Sequence, residues 1–314
     1  MIRVSRRNLR FYRSITLFAA VCSFFLGVSL SLYLHTQAPY PNNPVVIEQP
    51  SLKNDLTPSF GVEETEEQNL QPDISDYEPL PPVDKNTLQP QAFHPPTNFQ
   101  GKTLKNVKVG EQNKVIALTF DDGPKPKYTE QILQILKKNN IKATFFWIGR
   151  FVEAYPEIAL KVVAQGHAIG NHTWTHSYDN MSRSLASYEI EDTAAIIESV
   201  TKVKTTLFRP PGGLLTNGPT DYAISRDYTV LLWSADSKDF SRKVSVDSII
   251  SRVLKSAKPG GMVLMHDGGG DRTRTVQALP TIINSLREQG YKFVTVPELL
   301  AMDEGGGVEK QGSS

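Results

Sequence analysis

Between residues 105 and 303 short apolar runs alternate with amphipathic stretches. The runs fall at 115–120, 143–148, 167–170, 206–208, 228–233, 262–265 and 292–296. Between most of them, at 128–139, 152–165, 187–200, 246–255 and 276–289, apolar residues recur at helical spacing. Strand-length runs separated by helices predict βα units in series, and therefore a parallel sheet, because a parallel connection needs a crossover of helix length. About seven such strands close most economically into a barrel. The expectation is an α/β fold, a distorted (β/α) barrel over residues 105–303, followed by a Gly-rich frayed tail at 304–314.

Upstream the pattern is different. Residues 1–14 carry Arg3, Arg6, Arg7, Arg10 and Arg13 and no acid, and residues 15–34 carry no charge at all. An uncharged helix of that length spans a hydrocarbon core of about 30 Å. With its basic flank held inside, it predicts a transmembrane signal anchor and an extracytoplasmic remainder. The alternative is a signal peptide cut near Ala38, which yields a secreted protein. Residues 35–104 hold over half of the 21 prolines, an acidic run near Glu63, and no apolar periodicity. They read as an extended, disordered linker.

Charge and cysteine content narrow the chemistry. With 34 Lys+Arg against 33 Asp+Glu the net charge is +1, which argues against a nucleic-acid partner. Nothing in the sequence indicates an obligatory protein partner. Cys22 is the only cysteine, so no internal disulfide forms and any metal must be held by histidines and carboxylates.

The informative polar residues all follow apolar runs. Asp121 and Asp122 come after the first, His172 and His176 after the third, and Arg209 after the fourth. Asp239 lies beyond the fifth and His266 closes the sixth. In a parallel barrel these positions gather at the carboxyl-terminal rim, where barrel enzymes place their chemistry. A His-x-x-x-His pair on a helix puts both rings on one face and grips a divalent metal; alone, the same spacing also occurs in surface or packed histidines. Asp121-Asp122-Gly123-Pro124 alone reads as a solvated turn. After an apolar strand and beside a histidine pair, one carboxylate can bind metal while the other faces water, which completes the ligand set of a catalytic site. Arg209-Pro210-Pro211-Gly212-Gly213 is a rigid corner, either with an exposed charge or with a guanidinium that orients a carboxylate. A strand-end His266 facing the same mouth suits a proton donor.

Taken in order, Thr119 to Pro124, His172 to His176, Arg209 to Gly212, Asp236 to Phe240, and Leu264-Met265-His266 resemble the five motifs of polysaccharide deacetylases, the NodB-homology proteins of carbohydrate esterase family 4. The resemblance covers roughly residues 110–300. It implies a distorted (β/α) barrel and metal-dependent removal of acetyl groups from N-acetylated sugars. Asp122, His172 and His176 would hold one divalent ion, zinc first, with cobalt, manganese or nickel as other candidates. Asp121 would be the base, oriented by Arg209, and His266 the acid, positioned by Asp239. Gly212 and Pro211 would lie at the oxyanion and substrate, with Phe240 as a wall. Two departures stand out: Phe240 replaces the usual tryptophan, and Gly212 stands where many members carry tyrosine. An outward-facing, membrane-tethered domain points to peptidoglycan N-acetylglucosamine as the substrate, with chitin-type oligomers next. A phosphoesterase or a catalytically silent glycan-binding relative would be the other outcomes; the silent relatives lack an acid, base or ligand position, and here every one is present.

Overall fold

A computed structural model of the chain describes residues 80–110 and 112–304. The basic segment, the expected membrane anchor, most of the expected linker and the Gly-rich tail beyond Glu304 lie outside the described residues. Among the described residues no helix is long and apolar enough to cross a membrane.

Strands β1 (Gln91–Phe93) and β2 (Thr103–Leu104) come first, then β3 (Val115–Gly123), helix α1 (Tyr128–Lys138), β4 (Thr144–Trp147), α2 (Gly149–Ala154), α3 (Pro156–Ala164) and β5 (Ala168–Asn171). After these come α4 (Arg183–Thr201), β6 (Val203–Thr205), β7 (Leu207–Phe208), α5 (Pro219–Ser225), β8 (Thr229–Leu231), β9 (Ala235–Asp236) and α6 (Val246–Ser256). The chain closes with β10 (Gly261–His266), α7 (Thr273–Glu288), β11 (Lys292–Phe293) and α8 (Val296–Ala301). Every apolar run read as a strand contains one. The helix expected over 152–165 is two, because Pro156 opens α3 and Tyr155 before it takes the non-helical φ −134°, ψ 55°.

The main sheet runs β2-β8-β7-β5-β4-β3-β10-β9, with β11 also paired to β3, and its strand pairs are parallel. It curls without closing, which corrects the closed barrel. Residues 229–236 form one stretch whose first part pairs with β7 and whose last part pairs with β10. Between these parts the chain changes partners: Leu232 N donates to Leu104 O and Ser234 N donates to Met262 O. The free edge of β8 is occupied by β2, so β8 cannot meet β10 along its length.

That filling strand comes from the segment read as linker, and this is the second correction. Residues 80–104 are part of the fold. β1 pairs with β6, Leu88, Phe99 and Leu104 are buried, and Leu80 and Val83 pack on the main core. Their apolar residues occur singly among prolines, so no period reveals them, yet each fills a site already shaped by the sheet and α4.

β3 is the centre of the molecule. All nine of its residues are buried, as expected for a parallel strand covered on both faces. Ile116, Leu118 and Phe120 join the core cluster that contains α1 and α7, whereas Val115 and Ala117 face the cluster containing α8. This two-residue alternation fixes which side chains reach the mouth at the strand's carboxyl end. There β10 lies in register with β3, pairing His266 with Asp121.

Candidate active site

Asp121 and Asp122 end β3, His172 follows β5, Arg209 follows β7, Asp239 follows β9, and His266 ends β10. The sheet therefore brings to one rim the residues that the sequence scatters over nearly 150 positions. A cavity of about 440 Å³ opens there, lined by Asp121, Asp122, His172, His176, Gly212 and His266 among others. That volume lies in the range that takes a small ligand such as a sugar unit.

Neighbouring aspartates point to different tasks because β3 is irregular at that point. Its register against β4 shifts between Asp121 and Gly123, and Asp122 has φ 73°. Such a bulge re-aims a side chain. Asp121 Oδ1 accepts from Arg209 Nη1 at 2.7 Å, while its Oδ2 lies 3.8 Å from His172 Nε2. Asp122 Oδ1 is 3.5 Å from His172 Nε2 and 3.1 Å from His176 Nε2.

Arg209 is fully buried and donates four hydrogen bonds. Nε donates to Leu231 O, Nη2 to Leu232 O, and Nη1 to Thr119 Oγ1 as well as to Asp121, with the guanidinium 4.0 Å over the Phe146 ring. Its role as an exposed turn charge is thereby excluded. The Arg209 carbonyl also fixes a ligand: His172 Nδ1 is 2.6 Å from that oxygen. A carbonyl only accepts, so Nδ1 carries the hydrogen and Nε2 presents its lone pair to the cavity.

The histidine pair does not use the helical arrangement that its spacing would allow. Residues 172–178 form a loop in which Thr173 and His176 take φ 67° and 61°. No apolar stripe exists there to bury, so a helix would gain nothing from packing. Side chains hold the loop instead. Asn171 Oδ1 accepts from Thr173 N, and Thr173 Oγ1 accepts from His176 N. Buried Glu189 of α4 accepts from Trp174 N and Thr175 N, both at 2.8 Å, and from Thr175 Oγ1 at 2.6 Å. The two imidazole rings end 4.9 Å apart.

One ligand atom from each of Asp122, His172 and His176 lies within 4.8 Å of the others. Asp122 Oδ1 is buried and has no hydrogen-bond partner. Burial opposes ionisation of Asp122, but the close approach of the His172 and His176 rings outweighs it and holds the carboxyl far below the usual carboxylate range. An ionised, unsatisfied oxygen between two imidazole nitrogens is a costly arrangement in the absence of a cation. Two imidazoles and one carboxylate suit a divalent metal.

His266 faces this cluster from β10. Its Nδ1 is 2.6 Å from Asp239 Oδ1, and its backbone N donates to Asp239 Oδ2. Asp239 is buried and also accepts from Thr275 Oγ1, while Arg272 Nη1 donates to its carbonyl. Burial disfavours the imidazolium, but the Asp239 charge and hydrogen bond prevail and raise His266 to about 9. Asp239 is held low by the same partner against its own burial. With Nδ1 committed to the carboxylate, Nε2 is the nitrogen left for proton transfer.

Pro211 is buried behind the corner, and the cavity wall passes through Gly212. Phe240 is half exposed on the wall, edge-on to His266 at 5.8 Å between ring centres. His167 is buried at the opposite end of β5, where Nδ1 accepts from Ala143 N. Its pKa falls to about 3, by burial first and the nearby Lys142 second.

Three residues escaped the sequence reading. Glu189 had a visible signal, a carboxylate on the buried stripe Ala186, Ile190, Thr193 and Ile197 of α4. Arg272, buried beside the Gly-rich turn and donating to Gly268 and Gly269 carbonyls, had none. Nor had Asp267, whose carboxyl burial pushes up to about 7, the charges of Asp122 and Asp121 adding to the effect.

Fold and centre together define a class: a hydrolase with an Asp-His-His metal centre at the rim of a curled parallel α/β sheet. The family model for polysaccharide deacetylases matches residues 108–231. A peptidoglycan-N-acetylglucosamine deacetylase of Bacillus cereus is 44% identical over 196 residues, spanning 62% of this chain and 91% of that protein. The solved structure of a peptidoglycan N-acetylglucosamine deacetylase matches with a TM-score of 0.60 at 31% identity, covering 65% of this chain and 95% of that one. A carbohydrate esterase family 4 pseudoenzyme from Bacillus anthracis matches with a TM-score of 0.57 at 29% identity, covering 71% of this chain and 73% of that one. The chain belongs to the polysaccharide deacetylase family, carbohydrate esterase family 4.

Proposed function

We propose that this enzyme removes the acetyl group from N-acetylglucosamine residues of peptidoglycan. The observation that carries the reading is the convergence of two buried pairs on one cavity. Arg209–Asp121 lies beside the Asp122, His172 and His176 ligand set, and Asp239–His266 faces them. A divalent cation at those three ligands supplies Lewis acidity, lowering the pKa of water and polarising a carbonyl; zinc fits the donor set, as do cobalt, manganese and nickel.

The chain's own residues account for the proton movements of amide hydrolysis. Asp121, its Oδ1 locked by Arg209, keeps Oδ2 free to take a proton from water as the water oxygen bonds to the acetyl carbon. The carbonyl oxygen becomes negative and meets the Gly212 amide at the wall, a donor preorganised by the proline corner. The carbon–nitrogen bond then breaks, and His266 Nε2 delivers a proton to the departing nitrogen, so acetate and a free sugar amine result. Asp239 keeps His266 in the protonated form that this step consumes.

The basic segment before the uncharged stretch at 15–34 supports an extracytoplasmic domain anchored in the cell membrane, where peptidoglycan lies. The test is metal-loaded protein on purified peptidoglycan, with acetate release followed and the glycan fragments weighed by mass spectrometry. The expected result is conversion of N-acetylglucosamine to glucosamine, with Asp121→Asn losing about 10²–10⁴ in kcat while retaining its metal. Unchanged acetyl content, or release of phosphate from phosphoesters in its place, overturns the assignment.

A further inference from the structure

Six large apolar side chains are well exposed among the described residues, and two of them, Tyr178 and Phe240, line the mouth. Each stands edge-on to a histidine of the centre. Tyr178 meets the His176 ring at 5.2 Å and 84°, and Phe240 meets the His266 ring at 5.8 Å and 80°. The two aromatic rings therefore line the same cavity, one against the ligand histidine and one against the acid histidine.

Tyr178 is seated by the proline corner. Gly212 has φ +61°, and a β-carbon built on it would come within 2.7 Å of Tyr178 Cε1. The backbone at 212 disfavours a side chain, and the tyrosine ring occupies the space that one would need. This ring, 58% exposed, therefore packs where a side chain at 212 would lie, and it lines the cavity beside Gly212. Burial on folding does not account for such an open ring. Pyranose rings carry their hydroxyls around the rim and leave C–H-bearing faces that pack well against aromatic rings.

We propose that Tyr178 is a sugar-binding residue, forming with Phe240 a pair of aromatic walls that receive an N-acetylated pyranose and hold its acetamido group over Gly212 and Asp121. This rests on the deacetylase reading given above. It assigns glycan affinity to a residue two positions beyond the last metal ligand, in the loop that the sequence reading treated only as a ligand carrier.

The experiment measures binding of the N-acetylglucosamine pentamer by calorimetry to metal-loaded Asp121→Asn protein, with Tyr178→Ala or Tyr178→Phe added, and records metal content in each. Tyr178→Ala weakens binding about fivefold to tenfold with metal content unchanged, and Tyr178→Phe stays within about twofold. Equal affinity with and without the ring, absence of binding in both, or loss of metal on Tyr178→Ala overturns the proposal; metal loss would make the ring a support for His176. Acetate release by the parent protein is scored separately. Failure there sinks the deacetylase reading, whereas the binding series reports on Tyr178.

Discussion

On one side of the mouth the chain leaves regular structure, and on the other it arrives on a strand. The ligand side is a bulge and a loop, with positive φ at Asp122, Thr173 and His176, held in place by Glu189, Asn171 and the Arg209 carbonyl. It ends in an oxygen, Asp122 Oδ1, that no donor satisfies. The acid side is the regular end of β10, and both oxygens of its Asp239 are engaged. An unsatisfied site stores a demand for a cation, and a satisfied one stores a proton. Changes on the two sides should therefore fail in different ways, one through metal content and the other through pH dependence.

The largest effect is expected on the ligand side. His176→Ala removes one of three ligands, and both bound metal and activity should be lost together when metal content and acetate release are measured on the same preparation. Retention of a full equivalent of metal would break the contrast. On the acid side, Asp239→Asn should keep the metal and lower kcat about 10²-fold near neutral pH. The sign of the pH effect follows from His266. Its value of about 9 lies above the unperturbed 6.5, so the acid form dominates below about 9 and activity falls as pH rises through that value. The stabilisation from the pair follows the same direction, complete below about 6.5 and lost through about 9. Without the Asp239 charge the burial penalty is opposed only by the charges of Asp121 and Asp122, and the alkaline limb of kcat should move well below 9; a limb that stays near 9 would remove Asp239 as its cause.

Smaller changes sharpen the same division. Glu189→Ala frees two backbone donors of the ligand loop without touching a ligand, and should weaken metal affinity about tenfold by titration while leaving the alkaline limb in place. Thr275→Val removes one of the bonds to Asp239 Oδ2, and should lower kcat only a few-fold with metal affinity unchanged.

The same contrast governs how much could be read in advance. Strand ends are legible, because apolar runs mark the strands and the polar residues that follow them must share one rim. Asp121, Arg209 and His266 emerge from that logic alone. The His172 to His176 segment gives its chemistry by residue type but not its conformation, since Glu189 of α4, with Asn171 and Thr173, holds it as a loop. The edge strand β2 was missed because isolated apolar residues among prolines carry no period, and with it went the reason the sheet stays open. Arg272 was invisible because nothing local distinguishes a buried guanidinium from a solvated one.

Arg209 has a consequence of its own. Its guanidinium grips Asp121 while its carbonyl grips His172, so one residue ties the buried carboxylate and the imidazole of the His-Asp cluster to the end of β7. Thermal displacement of that strand end carries both groups in the same direction, and their separation varies less than the position of either. The enzyme thus tolerates a breathing sheet by making the motions of its working parts common-mode.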